Sequence, residues 1–214
     1  MGGMKNEGDS KKQEPRLLTE YRSNGGEYDG PNFTPVKEAI KQSLLQEQGH
    51  LCAYCMARIT SDNMKVEHWA CQSLYPSLQL DYSNLLGCCM GAEGSKYVDQ
   101  TCDSRKGNQL IKFNPSKPQD RINSLIKYDG QGTIFSIDDE FSIAINKVLN
   151  LNKARLIENR LSILNSIRKA LSNRPGKRSK NEIKQLLQEY MTANTQNKLK
   201  EYCGLVYYYL SSKL

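Results

Sequence analysis

Residues 50–108 read HLCAYCMARITSDNMKVEHWACQSLYPSLQLDYSNLLGCCMGAEGSKYVDQTCDSRKGN, and four strings within them decide the fold: LCAYC (51–55), KVEHW (65–69), DYSNLLGCC (81–89) and TCDSRKGN (101–108). Five of the chain's seven cysteines lie in these strings. Cys52 and Cys55 have the Cys-x-x-Cys spacing of a turn whose two thiolates share one tetrahedral zinc ion. A closed structural site needs two further ligands. Cys102 is one; Cys88 or Cys89 is the other, and spacing does not choose between them. The rival reading is a set of buried free thiols, which are common core residues. Against it stands the surrounding sequence: residues 50–118 abound in turn formers and lack long periodic apolar runs, the situation in which a metal replaces a hydrophobic core.

The same strings carry reactive groups. His68, one of two histidines, follows an acid in KVEHW. An imidazole titrating near neutrality is able to take a proton from water attacking a phosphate. Glu67 offers a hard oxygen to Mg²⁺, and Asp103, directly after Cys102, offers a second. Neighbours on a regular strand point to opposite faces, so Glu67 and His68 converge only where the strand ends or twists. Asn84 is suited to hydrogen-bond backbone and hold the His68 segment in register. Arg105 and Lys106 are placed to meet phosphate oxygens as a nucleic-acid contact. The blander alternatives are a hydrogen-bonded core histidine and a solvated basic pair. Cys71 and Cys203 have no partner at metal spacing and read as packing residues, and His50 reads as structural.

Working outward, residues 1–13 are polar without periodicity and are expected to form a disordered tail. Residues 14–49 read as an N-terminal arm, anchored by Leu17, Leu18, Tyr21 and Tyr28, and then a helix from Thr34 to Gln48. Thr34 is the expected cap, Pro35 the first-turn residue and Gly49 the stop. Residues 50–118 form the core unit, and 119–214 a hairpin with C-terminal helices. INSLIKY and TIFSI flank the turn DGQG as two strands. A short helix around Phe141–Leu149 ends at LNLN, and a longer one spans Leu156–Leu171. RPGKRS breaks it, Ser179 or Asn181 caps the third around Ile183–Met191, and the last runs Leu199–Leu210. The Tyr-rich end, YCGLVYYYL, is either a core face or a docking surface. The expected class is α+β.

The chain has 214 residues, 38% of them hydrophobic and 25% charged, with a formal charge of +7. That composition is globular, and the charge favours a polyanionic partner. No apolar run approaches the ~18–20 residues of a membrane span, and no signal-peptide pattern opens the sequence. Clustered cysteines in odd number point to a reducing, cytoplasmic setting.

VEHW, then SNLL, then CDSRKGN, interleaved with CAYC and Cys89, resemble the HNH nucleases of the four-cysteine zinc kind. More closely, EPRLL, LLQEQGHLCAYCM, KVEHW, LDYSNLL, CDSRKGN and VLNLN are similar to the PtuB family of HNH effectors in Septu and retron anti-phage systems, from about Glu14 to Arg160. The resemblance implies a zinc-stapled ββα-metal core, flanked by the N-terminal arm and the C-terminal helical region, that hydrolyses phosphodiesters of DNA or tRNA. It implies a zinc site of Cys52, Cys55, Cys89 and Cys102, since the family's third ligand follows SNLL after two residues. By the same positions His68 becomes the general base, Glu67 and Asp103 the metal-binding acids and Asn84 the middle asparagine. Glu67 stands where Asp or His is more usual, and Asp103 where many HNH nucleases carry His or Asn; an all-oxygen set suits Mg²⁺ or Mn²⁺. The implied partners are a nucleic-acid substrate and a PtuA-type ATPase, joined in some systems by a retron reverse transcriptase and its DNA product. The competing expectation is a non-catalytic, zinc-stabilised nucleic-acid-binding or adaptor subunit.

Overall fold

A computed structural model describes residues 13–214, so all but the last residue of the expected tail lies outside the described residues. Among the described residues the fold is α+β: helices with two small antiparallel sheets. Within the expected N-terminal arm, RLLTEYRS forms helix α1 (Arg16–Ser23), which buries Leu18. Helix α2 (Thr34–Glu47) buries Val36, Ile40, Leu44 and Leu45 at helical spacing and stops before Gly49, whose φ is +57°. Its cap is Phe33 rather than Thr34, which lies inside the first turn.

Strand β1 (Met64–His68) pairs antiparallel with β2 (Leu85–Cys89), in a register running from Met64 opposite Cys89 to His68 opposite Leu85. The short helix α3 (Cys102–Lys106) follows and packs against β2. Ahead of these strands, Leu51 bridges Arg58, and the Cys52–Ala57 turn is closed by Met56 N–H to Cys52 O (3.0 Å) and Cys52 N–H to Ala57 O (2.9 Å). The Gln48 carboxamide fixes this turn to β2. It accepts from Gly87 N–H at 2.7 Å and donates to Gly87 O at 2.8 Å.

Of INSLIKY, only its end is extended: Ile122–Leu125 makes one helical turn, α4, and β3 is Ile126–Tyr128. It pairs with β4 (Ile134–Ser136) across the expected turn, where Asp129 Oδ1 accepts from Gln131 and Thr133 N–H, each at 2.8 Å. Helix α5 (Asp139–Ile143) runs into a π-turn at Ala144–Val148. Next come α6 (Ala154–Ser172), α7 (Lys180–Met191) and α8 (Cys203–Ser211). Ser179 caps α7 in a reciprocal box with Glu182. The last helix starts four residues later than its periodicity suggests. Leu199 N–H is taken by Gly49 O (3.1 Å) and Tyr202 N–H by Met56 O (3.2 Å), so this stretch straps the cysteine turn instead of continuing a helix.

One apolar cluster joins Leu18, Phe33, Ile40, Ile59, Leu86, Phe141 and Leu156, drawing on the arm, α2, the cysteine unit and the region after it. A second gathers Ile167, Ile183, Leu187, Val206 and Leu210 from α6, α7 and α8. Val206 and Leu210 of the Tyr-rich end are therefore core, and Tyr207 of the same helix is exposed. Cys203 is buried.

Candidate active site

The sulfurs of Cys52, Cys55, Cys89 and Cys102 all lie within 4.8 Å of one another. Cys55 and Cys89 are 3.8 Å apart, the edge expected of a tetrahedron with Zn–S bonds of about 2.3 Å. Four sulfurs drawn from the 52–57 turn, the end of β2 and the start of α3 are thus placed to hold one metal ion. Two backbone devices bring Cys102 home. Gly91, at φ +57°, accepts from Thr101 N–H (2.8 Å), and a Cβ there would sit 2.1 Å from Thr101 O. Leu149 O accepts from Cys102 N–H at 2.9 Å, and Asn150 Nδ2 donates to Gln100 O at 2.9 Å. The first residues of the VLNLN string thereby hold the loop that carries the fourth sulfur. Burial would push the Cys52 thiol up, yet hydrogen bonding from Cys102 and Cys55, and then from Cys88 and Cys89, carries it well below the ordinary thiol range. Cys88 is fully buried on the strand face shared with Lys65 and Glu67, outside the four-sulfur group.

Beside this cluster, the Glu67 and Asp103 carboxyls lie close enough to shift each other's titration. Glu67 Oε1 accepts from Tyr54 OH (2.9 Å) and from Lys106 Nζ (2.8 Å). Lys65 Nζ sits 3.0 Å from Asp103 Oδ2 and 2.9 Å from Glu93 Oε1. Burial first, and the Asp103 carboxyl second, push the Glu67 carboxyl well up, with Lys106 pulling the other way. Burial would raise Asp103 too, but its neighbour Glu67 and the nearby Lys65 and Lys106 ammoniums bring it below the usual carboxylate range.

His68 is the last residue of β1, and its ring leaves the face that carries Glu67. Nε2 lies 3.0 Å from Gln79 O. A carbonyl only accepts, so Nε2 carries the proton and the lone pair of the neutral ring belongs to Nδ1. Burial lowers the His68 pKa below its ordinary value, against the raising influence of Gln79 O and Asp103. Asn84 anchors the 69–84 connection: Oδ1 accepts from Ala70 N–H (2.8 Å), Nδ2 donates to Ala70 O (2.9 Å) and Leu78 O (3.3 Å), and Asn84 O accepts from Trp69 N–H (2.9 Å).

Glu67, Asp103 and Lys106 therefore come together, with His68 next along the strand. Lys106 is not at the surface: its ammonium is fully buried, on Glu67 and on His68 O (3.2 Å). Arg105 stacks on Tyr97, 3.7 Å from the ring centroid, and donates to Tyr97 O (2.7 Å) and Lys147 O (3.3 Å). Sequence reasoning passes over Tyr54, Lys65 and Gln79. Lys65 is findable, since period two puts it on the face of Glu67; Tyr54 and Gln79 carry no such signal.

Paired strands, a short helix, four converging sulfurs, an imidazole and two carboxyls define the class: a mixed α+β protein with a cysteine cluster that could hold a metal ion, and an acid–histidine pair on the neighbouring strand. No protein-family model matches the chain. It is 32% identical over 111 residues to "Retron Vc95 putative HNH endonuclease" of Vibrio cholerae serotype O1 biovar El Tor, a match covering 50% of this chain and 52% of that protein. It is 33% identical over 96 residues to "Septu protein PtuB" of Bacillus thuringiensis, covering 44% of this chain and 34% of that one. The chain spans about half the length of the first relative and a third of the second. Its similarity is to HNH endonucleases of the PtuB family, as its motifs read. Among the described residues, no helix is long and apolar enough to cross a membrane.

Proposed function

We propose that this chain is a metal-dependent HNH endonuclease, the effector of an anti-phage system, in which β1, β2 and α3 form a zinc-held ββα-metal core. The observation that carries the reading is the His68 ring, its Nε2 on Gln79 O and its lone pair on Nδ1, one residue along β1 from Glu67 on a unit where four cysteine sulfurs converge. The four thiolates suit Zn²⁺. The carboxyl pair offers hard oxygens suited to Mg²⁺ or Mn²⁺, and the Lys65 ammonium on Asp103 is the charge such a cation displaces. Glu67 and Asp103 would hold that cation, which would supply stabilisation of the charge developing on the phosphoryl and leaving oxygens. His68 Nδ1 takes the proton of the attacking water. Asn84 holds the connection behind His68, and Lys106 neutralises Glu67 from the protein side. Arg105 on the surface of α3 supplies a phosphate contact.

The substrate is a nucleic-acid phosphodiester, in DNA or tRNA, and the partner that restrains cleavage is a PtuA-type ATPase, with a retron reverse transcriptase and its DNA in some systems. The names of the two relatives support this assignment. Expressing wild type and His68→Ala with the ATPase, then sequencing cleaved DNA and RNA, tests it. Cleavage that depends on His68 is expected; equal cleavage, or none with both, returns the chain to the class of binding or adaptor subunits.

A further inference from the structure

The 24–33 loop, ahead of α2, reaches the imidazole. The Tyr28 ring meets His68 edge-on, with centroids 4.5 Å apart and planes at 77°. Its backbone N–H donates to Gln79 Oε1 at 3.2 Å, and the same Gln79 gives its carbonyl to His68 Nε2. Gln79 is thus held at one end by the loop and at the other by the histidine. The loop itself is built rather than loose. Tyr21 OH is shared between the carbonyls of Glu27 (2.9 Å) and Pro31 (3.0 Å), Asp29 and Asn32 take positive φ, and the Tyr28 ring rests on buried Phe33 at 4.6 Å. Lys37 pins the outer side, bonding Asp29 Oδ1 at 2.8 Å with its ammonium 5.3 Å above the Tyr28 ring.

We propose that Tyr28 is a positioning residue. With Gln79 it clamps the His68 imidazole, the ring edge setting the rotation and the carbonyl the tautomer, so that Nδ1 faces the reacting water. The catalytic half of this statement rests on the nuclease reading; the clamp does not. An imidazole has two flipped orientations of nearly equal shape, and only one matches a base on Nδ1. The backbone carbonyl selects it by hydrogen bonding, and the aromatic edge removes the space into which the ring would turn. Misplacement of a reacting group by about 1 Å costs on the order of 100-fold in rate, so a loosened ring is expected to lose turnover and not substrate affinity.

The test uses the full, zinc-loaded chain labelled with ¹⁵N-histidine. With two histidines present, His50→Asn assigns the spectrum. Long-range ¹H–¹⁵N spectra are expected to show His68 in wild type as a single Nε2–H tautomer. Tyr28→Ala is expected to give mixed or exchange-broadened tautomers, with kcat down about 10- to 100-fold and KM little changed, and Tyr28→Phe to rescue both readouts. Should Tyr28→Ala fail to fold, Gln79→Ala, which removes the amide held by the loop and leaves the carbonyl, is expected to give the same pattern more weakly. An unchanged tautomer in both alanine variants overturns the clamp, as does a loss that Tyr28→Phe does not rescue. If the wild type cuts nothing, the spectra still decide the clamp, and only the nuclease reading falls.

Discussion

Replacing Lys106 by Met removes a fully buried ammonium. Its side chain is fully buried and its partner Glu67 is 5% exposed, at 2.8 Å; a second bond, to His68 O, is 3.2 Å long. Methionine keeps most of the aliphatic stem, so lost packing is small. What remains is a carboxyl sealed in the protein with its compensating charge gone, and breaking a buried pair from one side costs about 3–5 kcal/mol. Glu67 is already pushed toward its protonated form by burial and by Asp103, which lets it shed charge and places the expectation at the lower end, about 3 kcal/mol. For a chain of this size 1 kcal/mol is roughly 2–4 °C in Tm, so a fall of about 6–12 °C is expected. Adding Glu67→Gln removes the stranded charge, and the double variant is expected to recover most of the loss. The assay is thermal or denaturant unfolding of the zinc-loaded protein, completed as a double-mutant cycle. A Lys106→Met protein melting within about 2 °C of wild type, or a double variant no better than the single, would refute the claim that this lysine neutralises Glu67.

Cys89→Ala is expected to lose bound zinc and cooperative unfolding, while Cys88→Ala keeps the metal at one ion per chain; elemental analysis of the purified variants decides. Lys65→Met takes away the ammonium on Asp103 and is expected to tighten Mn²⁺ binding by about 3- to 10-fold, on the order of 1 kcal/mol, as read by calorimetry or Mn²⁺ electron paramagnetic resonance; weaker binding would remove the carboxyl pair from the metal assignment. Asn84→Ala strips three hydrogen bonds from the 69–84 connection and is expected to cost about 2–3 kcal/mol, with faster hydrogen exchange at Ala70. Glu14 is held below the ordinary carboxylate value chiefly by its hydrogen bond from Arg22, a residue that also donates to Leu80 O at 2.8 Å. Its folded-state pKa lies below the unfolded one, so its contribution is present above about pH 4.5 and is lost as pH falls through the lower folded value. The stability gap between wild type and Glu14→Gln should therefore narrow from pH 6 to pH 4 in denaturant titrations; a constant gap would contradict it.

The cysteine spacing, the acid–histidine pair, the hairpin turn and the helical second half are all legible in the amino-acid order. Each depends on neighbours a few residues away: two thiols across one turn, period two along KVEHW, Asp129 closing a five-residue turn, Ser179 capping with Glu182. Helix α1 escapes such a reading because Gly25 and Gly26 follow it closely and only Leu18 of its length is buried. The last helix begins later than its apolar stripe suggests because Leu199 fits that stripe, yet its N–H goes to Gly49, a contact between segments far apart in sequence. The same limit hides the real place of Lys106. Three residues beyond Asp103 it reads as a surface cation, and only the packing of α3 on β2 turns it inward onto Glu67. Local sequence thus determined which groups exist and which short elements carry them. Their mutual distances, the tautomer of His68 and the sulfur that completes the four by position in space were decided by tertiary contacts, because burial, hydrogen-bond partners and charge neighbours are properties of chain segments brought together from a distance.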